Sequence, residues 1–175
     1  YFAQWDGTQW SAPATAPNSD VSALGEWHGH LIVGGMFTNI AGISASGMAE
    51  FDGATWTPLG AGVSGGRYGP QDPVSITTFQ NDLIVGGDFT TAGGQTVNQI
   101  ARWDGTAWHD LAGGVGGQFS SYGPQVVALL VDGPYLTVGG IFSTAGGVPA
   151  HYLARWDGAQ WSELGGGLDV YTPGV

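Results

Sequence analysis

Short runs rich in Val, Ile, Leu, Thr and aromatic residues follow one another along the chain, punctuated by Gly, Asn, Asp or Pro. One set is "VSITTF" from Val74, "DLIVGGDF" from Asp82, "QIARW" from Gln99 and "AWHDL" from Ala107. Runs of this length and composition, bounded by turn residues, predict β-strands. No segment sustains an apolar period of about 3.6 residues, so essentially no helix is expected.

The set of four recurs. Aromatic-Asp-Gly triplets begin at Trp5, Phe51, Trp103 and Trp156, in steps of 46, 52 and 53 residues. A second marker, "VGG" followed by any residue and then Phe, begins at Val33, Val85 and Val138, with steps of 52 and 53. Two independent markers keep one period. Four short strands in a unit of roughly 40–50 residues are the signature of a β-propeller blade. The expected fold is therefore all-β, a propeller of four-stranded antiparallel blades.

Each marker has a packing explanation. Asp-Gly between two strands favours a two-residue type I′ hairpin, because both central residues need positive φ. That turn would pair Trp103 with Thr106, Arg102 with Ala107 and Ala101 with Trp108. In every copy a small residue would then face a tryptophan. The aromatics Trp5, Trp10, Phe51, Trp56, Trp103, Trp108, Trp156 and Trp161 are read as packing residues offered to the neighbouring blade, roughly 2–3 kcal/mol for each buried tryptophan. The doublets Gly34-Gly35, Gly86-Gly87 and Gly139-Gly140 end the second strand of each unit. A side chain there would crowd the neighbouring strand or the bending backbone.

A glycine doublet after the second strand, an aromatic in the third and a tryptophan in the fourth resemble the kelch repeat. The longer pattern "GGDFTTAGGQTVNQIARWDGTAWHDLAGG" is similar to repeats of large secreted or surface bacterial proteins and of fungal cortical polarity-marker propellers. The resemblance covers nearly the whole chain and implies the fold. It says little of a ligand, because propellers host enzymes, lectins and scaffolds alike.

Counted in strands, the chain holds about three and a half blades. Residues 1–20 are an outer half-blade and loop, 21–73, 74–125 and 126–167 are three blades, and 168–175 start another or form a tail. Closed propellers have at least four blades. The ring is expected to be incomplete, with the remaining blades in a longer protein or supplied by self-association. The start at Tyr1 fits a processed or excised piece.

Composition narrows the partners. The 175 residues include 33 Gly, 8 Trp, no Cys and a formal net charge of -11. Arg67, Arg102 and Arg155 are the only cations besides four histidines, so no basic footprint for nucleic acid is present. An anionic membrane surface is equally unsuited, and no apolar run approaches a membrane-spanning length. Without cysteine there is neither a disulfide framework nor a thiolate metal site.

Candidate chemistry is sparse. The segments after the fourth strands, from Ala61 to Pro73 and from Gly113 to Gln125, share "YGPQ" and open on the same face as the connection between the second and third strands. Long loops on rigid scaffolds carry binding residues. Arg67, Tyr68, Gln71, Tyr122 and Gln125 are therefore candidate ligand contacts, suited to a neutral glycan or a polypeptide. Packing of the tyrosines in a proline-set turn is the competing reading. The opposite face is expected to carry tight turns at Asn81-Asp82 and Asp132-Gly133. His28-Gly29-His30 could bring two imidazoles to a metal but lacks a third ligand, and His109 and His151 stand alone. No calcium loop and no nucleophile elbow is present. The sequence favours a non-enzymatic binding or scaffolding module of a secreted or cell-surface protein, without metal or cofactor. A lectin, or the non-catalytic part of a glycan-active enzyme, is the alternative.

Overall fold

A computed structural model of the chain describes residues 3–12, 15–66, 72–117 and 123–168. A first hairpin joins β1 (Gln4–Trp5) to β2 (Trp10–Ser11). The first full repeat contains β3 (Val21–Trp27), β4 (His30–Gly35), the short strands β5 (Asn39–Ile40) and β6 (Ile43–Ser44), then β7 (Met48–Phe51) and β8 (Trp56–Pro58). After β9 (Val63–Ser64) the second repeat contains β10 (Asp72–Phe79), β11 (Asp82–Asp88), β12 (Thr91–Ala92), β13 (Gln95–Thr96), β14 (Ile100–Trp103) and β15 (Trp108–Asp110). After β16 (Val115–Gly116) the third contains β17 (Gln125–Asp132), β18 (Tyr135–Ile141), β19 (Thr144–Ala145), β20 (Val148–Pro149), β21 (Leu153–Trp156) and β22 (Trp161–Glu163). No helix occurs among the described residues.

The long strands form three antiparallel four-stranded sheets, β3-β4-β7-β8, β10-β11-β14-β15 and β17-β18-β21-β22, each in chain order. These are the blades. Their second strands are apolar on both faces because a blade is covered on both sides. Ile32 of β4 packs toward the second blade with Leu83 and Val85, while Val33 packs the other way with Phe37 and Ile40. Ile84 of β11 likewise joins Val126, Leu136 and Val138 of the third blade. The phenylalanines that follow the doublets, Phe37, Phe89 and Phe142, are fully buried.

Each blade is also tied to the one before it by a small sheet. β9, in the tail leaving the first blade, pairs with β12 of the hairpin β12-β13 in the second. β16 pairs with β19 of the third blade in the same way, and Pro17 bridges Ile40. In each hairpin the two central residues have positive φ: Ala41 and Gly42, Gly93 and Gly94, Gly146 and Gly147. Those are type I′ conditions.

The Asp-Gly hairpins take a different turn from the one the sequence suggests. Trp103 pairs with Trp108, Arg102 with His109 and Ala101 with Asp110, so tryptophan faces tryptophan across a four-residue loop. The other copies pair Trp5 with Trp10, Phe51 with Trp56 and Trp156 with Trp161. The reason lies in the aspartate side chain. Asp104 Oδ1 accepts from the backbone N–H groups of Thr106 and Ala107, both at 2.8 Å, and holds the loop open. Only the glycine, Gly105 at φ +98°, is left-handed. The first-to-second-strand turns also shift by one residue, to Gln80-Asn81 and Gly133-Pro134.

The doublets serve two contacts at once. A Cβ on the second glycine, Gly35, Gly87 or Gly140, would lie 2.1, 2.2 or 2.1 Å from the carbonyl oxygen of Asp20, Asp72 or Gln125. There the first strand is irregular in register, between Val21 and Ala23, Pro73 and Ser75, and Val126 and Ala128. The first glycine faces the next blade. A Cβ on Gly86 would meet Val126 Cγ1 at 2.3 Å, and one on Gly34 would meet Pro73 Cγ at 3.1 Å. Gly87→Ala should therefore cost about 2–3 kcal/mol in urea unfolding, as overpacking against backbone does. Gly94→Ala, in open space at φ +80°, should cost about 1–2 kcal/mol for its left-handed backbone. Equal losses would remove the crowding argument.

Candidate functional site

The last residue of the first strand decides whether a blade junction is closed or open. In the first blade this residue is Trp27. Its indole N–H donates to Asn81 O at 2.9 Å, and its ring lies 3.2 Å from where a Cβ on Gly105 would sit. His28 stacks on it with ring centroids 4.0 Å apart, and its Nε2 bonds Asn81 Oδ1. Two rings thus fill the space between the first blade and the Asp-Gly turn of the second.

At the next junction the smaller Phe79 stands in place of Trp27. Gln80 bridges to the third blade, donating to Asp157 O at 3.2 Å and lying against Gly158. A cleft of about 370 Å³ remains between the second and third blades. Strand β14 projects Arg102 into it, and the start of β11 projects Asp82. The two form an ion pair with Nη1 and Oδ2 2.5 Å apart. Asp110 adds a carboxylate, and its Oδ2 accepts from the Gly113 N–H at 2.6 Å. Trp156 supplies the wall on the third blade. A smaller cavity of about 250 Å³ shares Ala112 and Ala159 with the cleft and extends it past Trp161 and Val148.

A guanidinium and carboxylates beside an indole are a donor-acceptor set on an apolar wall. They suit a polar ligand rich in hydroxyl or amide groups. The polar groups sit on three strands of the second blade and the indole wall on a strand of the third, and a site on rigid elements is preorganised.

Arg67, Tyr68, Gln71 and Tyr122 fall outside the described residues. Gln125 opens β17 opposite Ile141, half-buried, and its carbonyl supports Gly140. On that face the described parts of the connections are zipped together as β9-β12-β13 and β16-β19-β20. His28 and His30 diverge, since His30 Nδ1 pairs with Glu50 Oε1. His109 Nε2 pairs with Asp104 Oδ2 at 2.7 Å, and His151 Nδ1 lies 3.4 Å from Glu163 Oε1. Among the described residues no three His, Cys, Asp or Glu side chains are grouped to hold a metal. The cleft residues Gln80, Asp82, Arg102 and Trp156 escaped the sequence reading. The available signal was the repeat position held by Trp27 and Phe79, where one copy loses the larger ring.

The model of a family described as a β-propeller domain of unknown function (DUF5122) matches residues 80–103. The match runs from the Gln80 turn through β11 to the end of β14, the two middle strands of the second blade. No curated protein matches the chain. With the successive four-stranded antiparallel sheets, the match identifies the chain as a β-propeller, a fold of the binding-module kind.

The Asp-Gly turns that frame the junctions carry the clearest electrostatic signature. Asp6 is lowered from 3.8 to about 2, first by the Thr8 hydroxyl and then by the N–H groups of Gln9 and Thr8. Asp52 is lowered to about 2 by the N–H groups of Thr55 and Ala54 and by the Thr55 hydroxyl. Asp104 and Asp157 move the same way, led by the N–H groups of Ala107 and Gln160. A carboxyl depressed in the folded state adds stability that is fully present above its unfolded value and lost as pH falls through the folded one. The urea midpoint should hold steady down to about pH 5 and drop between about pH 4 and 2. Carboxyl NMR titration should place the Asp6 and Asp52 midpoints near 2; midpoints near 3.8 would contradict the turn geometry.

Proposed function

We propose that the chain is a non-enzymatic binding module of a secreted or cell-surface protein, and that it holds a glycan or polypeptide ligand in the cleft between the second and third blades. The observation that carries this reading is the Arg102–Asp82 pair set beside Trp156 in a junction that Phe79 leaves open, while Trp27 closes the equivalent junction before it. In the second and third blades the tryptophans, glycine doublets and turn aspartates of the repeat motif are engaged in packing and turns. Function then falls to positions where one repeat departs from the others. The acidic, lysine-free composition and the repeat resemblance support an extracellular setting.

Screening the 175-residue protein on glycan and peptide arrays would supply a ligand for titration. Arg102→Ala should weaken that ligand at least tenfold, the loss of a charge-assisted hydrogen-bonding group. Phe79→Trp, which copies the closed junction, should abolish binding while circular dichroism and the urea midpoint stay near wild type. A ligand that binds both variants as it binds the wild type lies outside the cleft, and the assignment fails.

A further inference from the structure

At the two junctions between complete blades the tail leaving one blade caps the tryptophans of the next. Leu59 O accepts from the Trp108 indole N–H at 2.8 Å, and Leu111 O from Trp161 at 2.7 Å. The same two carbonyls close a tight turn, accepting from the Gly62 and Gly114 N–H groups at 3.0 Å. Gly60, next in the tail, lies under Trp103, whose ring is 3.1 Å from where a Cβ on Gly60 would sit.

The chain builds this tail a third time. Leu164 O accepts from the Gly167 N–H at 3.0 Å, and Gly165 has φ +64° against +58° at Gly60. No described atom lies within 4 Å of a Cβ position on Gly165. Among the described residues nothing fills over Gly165 the space that Trp103 fills over Gly60. The complementary half stands on the first hairpin. Trp5 and Trp10 hold the same mutual geometry as Trp103 and Trp108, with centroids 5.5 and 5.4 Å apart and interplanar angles of 47° and 49°. Yet among the described residues Trp5 and Trp10 are 50% and 69% exposed, against 7% and 2% for the buried pair.

We propose that a second copy of this chain joins these two surfaces. The Trp5–Trp10 hairpin of one copy docks on the Leu164–Gly167 tail of the other, with the Trp10 indole N–H donating to Leu164 O and Trp5 lying over Gly165. Exposed Leu24 on β3, and Val127 and Leu130 on β17, add apolar surface to the outer faces of the first and third blades, and surface of that kind favours association. The contact is heterologous and recurs until the rotation closes. The described residues of one chain contribute three complete blades and one two-stranded outer pair, four positions around the ring. Two copies docking on each other fill about eight, within the range at which propellers close.

Light scattering and sedimentation of the 175-residue protein should give twice the chain mass, dissociating on dilution. Replacing both indoles (Trp5→Ser with Trp10→Ser) removes the hairpin surface. Gly165→Leu blocks the tail, and Ala112 shows that this backbone position accepts a side chain at φ +45°. Each variant alone should run at monomer mass, with association weakened at least tenfold. Mixed together, the two should recover a heterodimer through their one intact contact, resolved by native mass spectrometry of isotope-labelled partners. Trp10→Phe keeps an aromatic ring while removing the indole N–H with its five-membered ring and should weaken association severalfold, so it carries the hairpin arm if the double variant misfolds. A wild-type chain that stays monomeric at submillimolar concentration overturns the proposal. So does a folded variant that associates like wild type, or a folded pair that fails to recover on mixing. Arg102→Ala leaves the mass unchanged, which separates this association from ligand binding in the cleft.

Discussion

The close approach of backbone to backbone at the glycine doublets is the contact on which the rest of the arrangement depends. The second glycine of each doublet lets the first strand bend its carbonyl to within 2.2 Å of where a side chain would begin. The first lets the next blade settle its apolar side chains on the strand, as Val126 does over Gly86. A strand that carried ordinary residues at both positions would keep its ladder and lose its neighbours. Stacking of the blades, and with it burial of Ile32, Leu83, Ile84 and Leu136, follows from two missing Cβ atoms per repeat.

Successive blades are then secured by directional bonds as well as by apolar burial. A tryptophan of the fourth strand reaches back to the preceding tail, and a short strand of that tail joins a hairpin of the next blade. Hydrophobic burial alone tolerates sliding; hydrogen bonds to named carbonyls do not. Each repeat contacts chiefly its sequence neighbours, so the architecture is close to one-dimensional and its stability resides in repeated junctions. The same logic gives the outermost tryptophans and the last tail their significance, since each is half of a junction already formed in the core.

Against such uniformity, departures from the repeat are where chemistry can enter. Trp27 and His28 fill one junction, whereas Phe79 and Gln80 leave the next with a cleft walled by Trp156 and floored by Arg102 and Asp82. The ion pair itself moves with the repeat. His30 and Glu50 occupy the first blade, Asp82 and Arg102 the second, and Arg155 pairs with Asp132 in the third while lying over Tyr135. One scaffold position therefore presents three different electrostatic surfaces.

The sequence by itself determined the repeat period, the four blade strands per unit, the absence of helix in the described chain and the burial of Trp103, Trp108, Trp156 and Trp161. Those properties are local or periodic, written in strand composition, glycine spacing and turn residues. The turn at Asp-Gly was legible only in part. A propensity for positive φ is visible in two letters, but the choice between a two-residue and a four-residue loop rests on whether the Asp104 carboxylate turns back onto the amides of Thr106 and Ala107. The cleft was not legible at all. Its residues are separated by as many as 80 positions, the distance from Phe79 to Ala159. They meet only because two blades stack, and the volume between them is a difference between Trp27 and Phe79 that has no meaning until each ring faces a neighbouring turn.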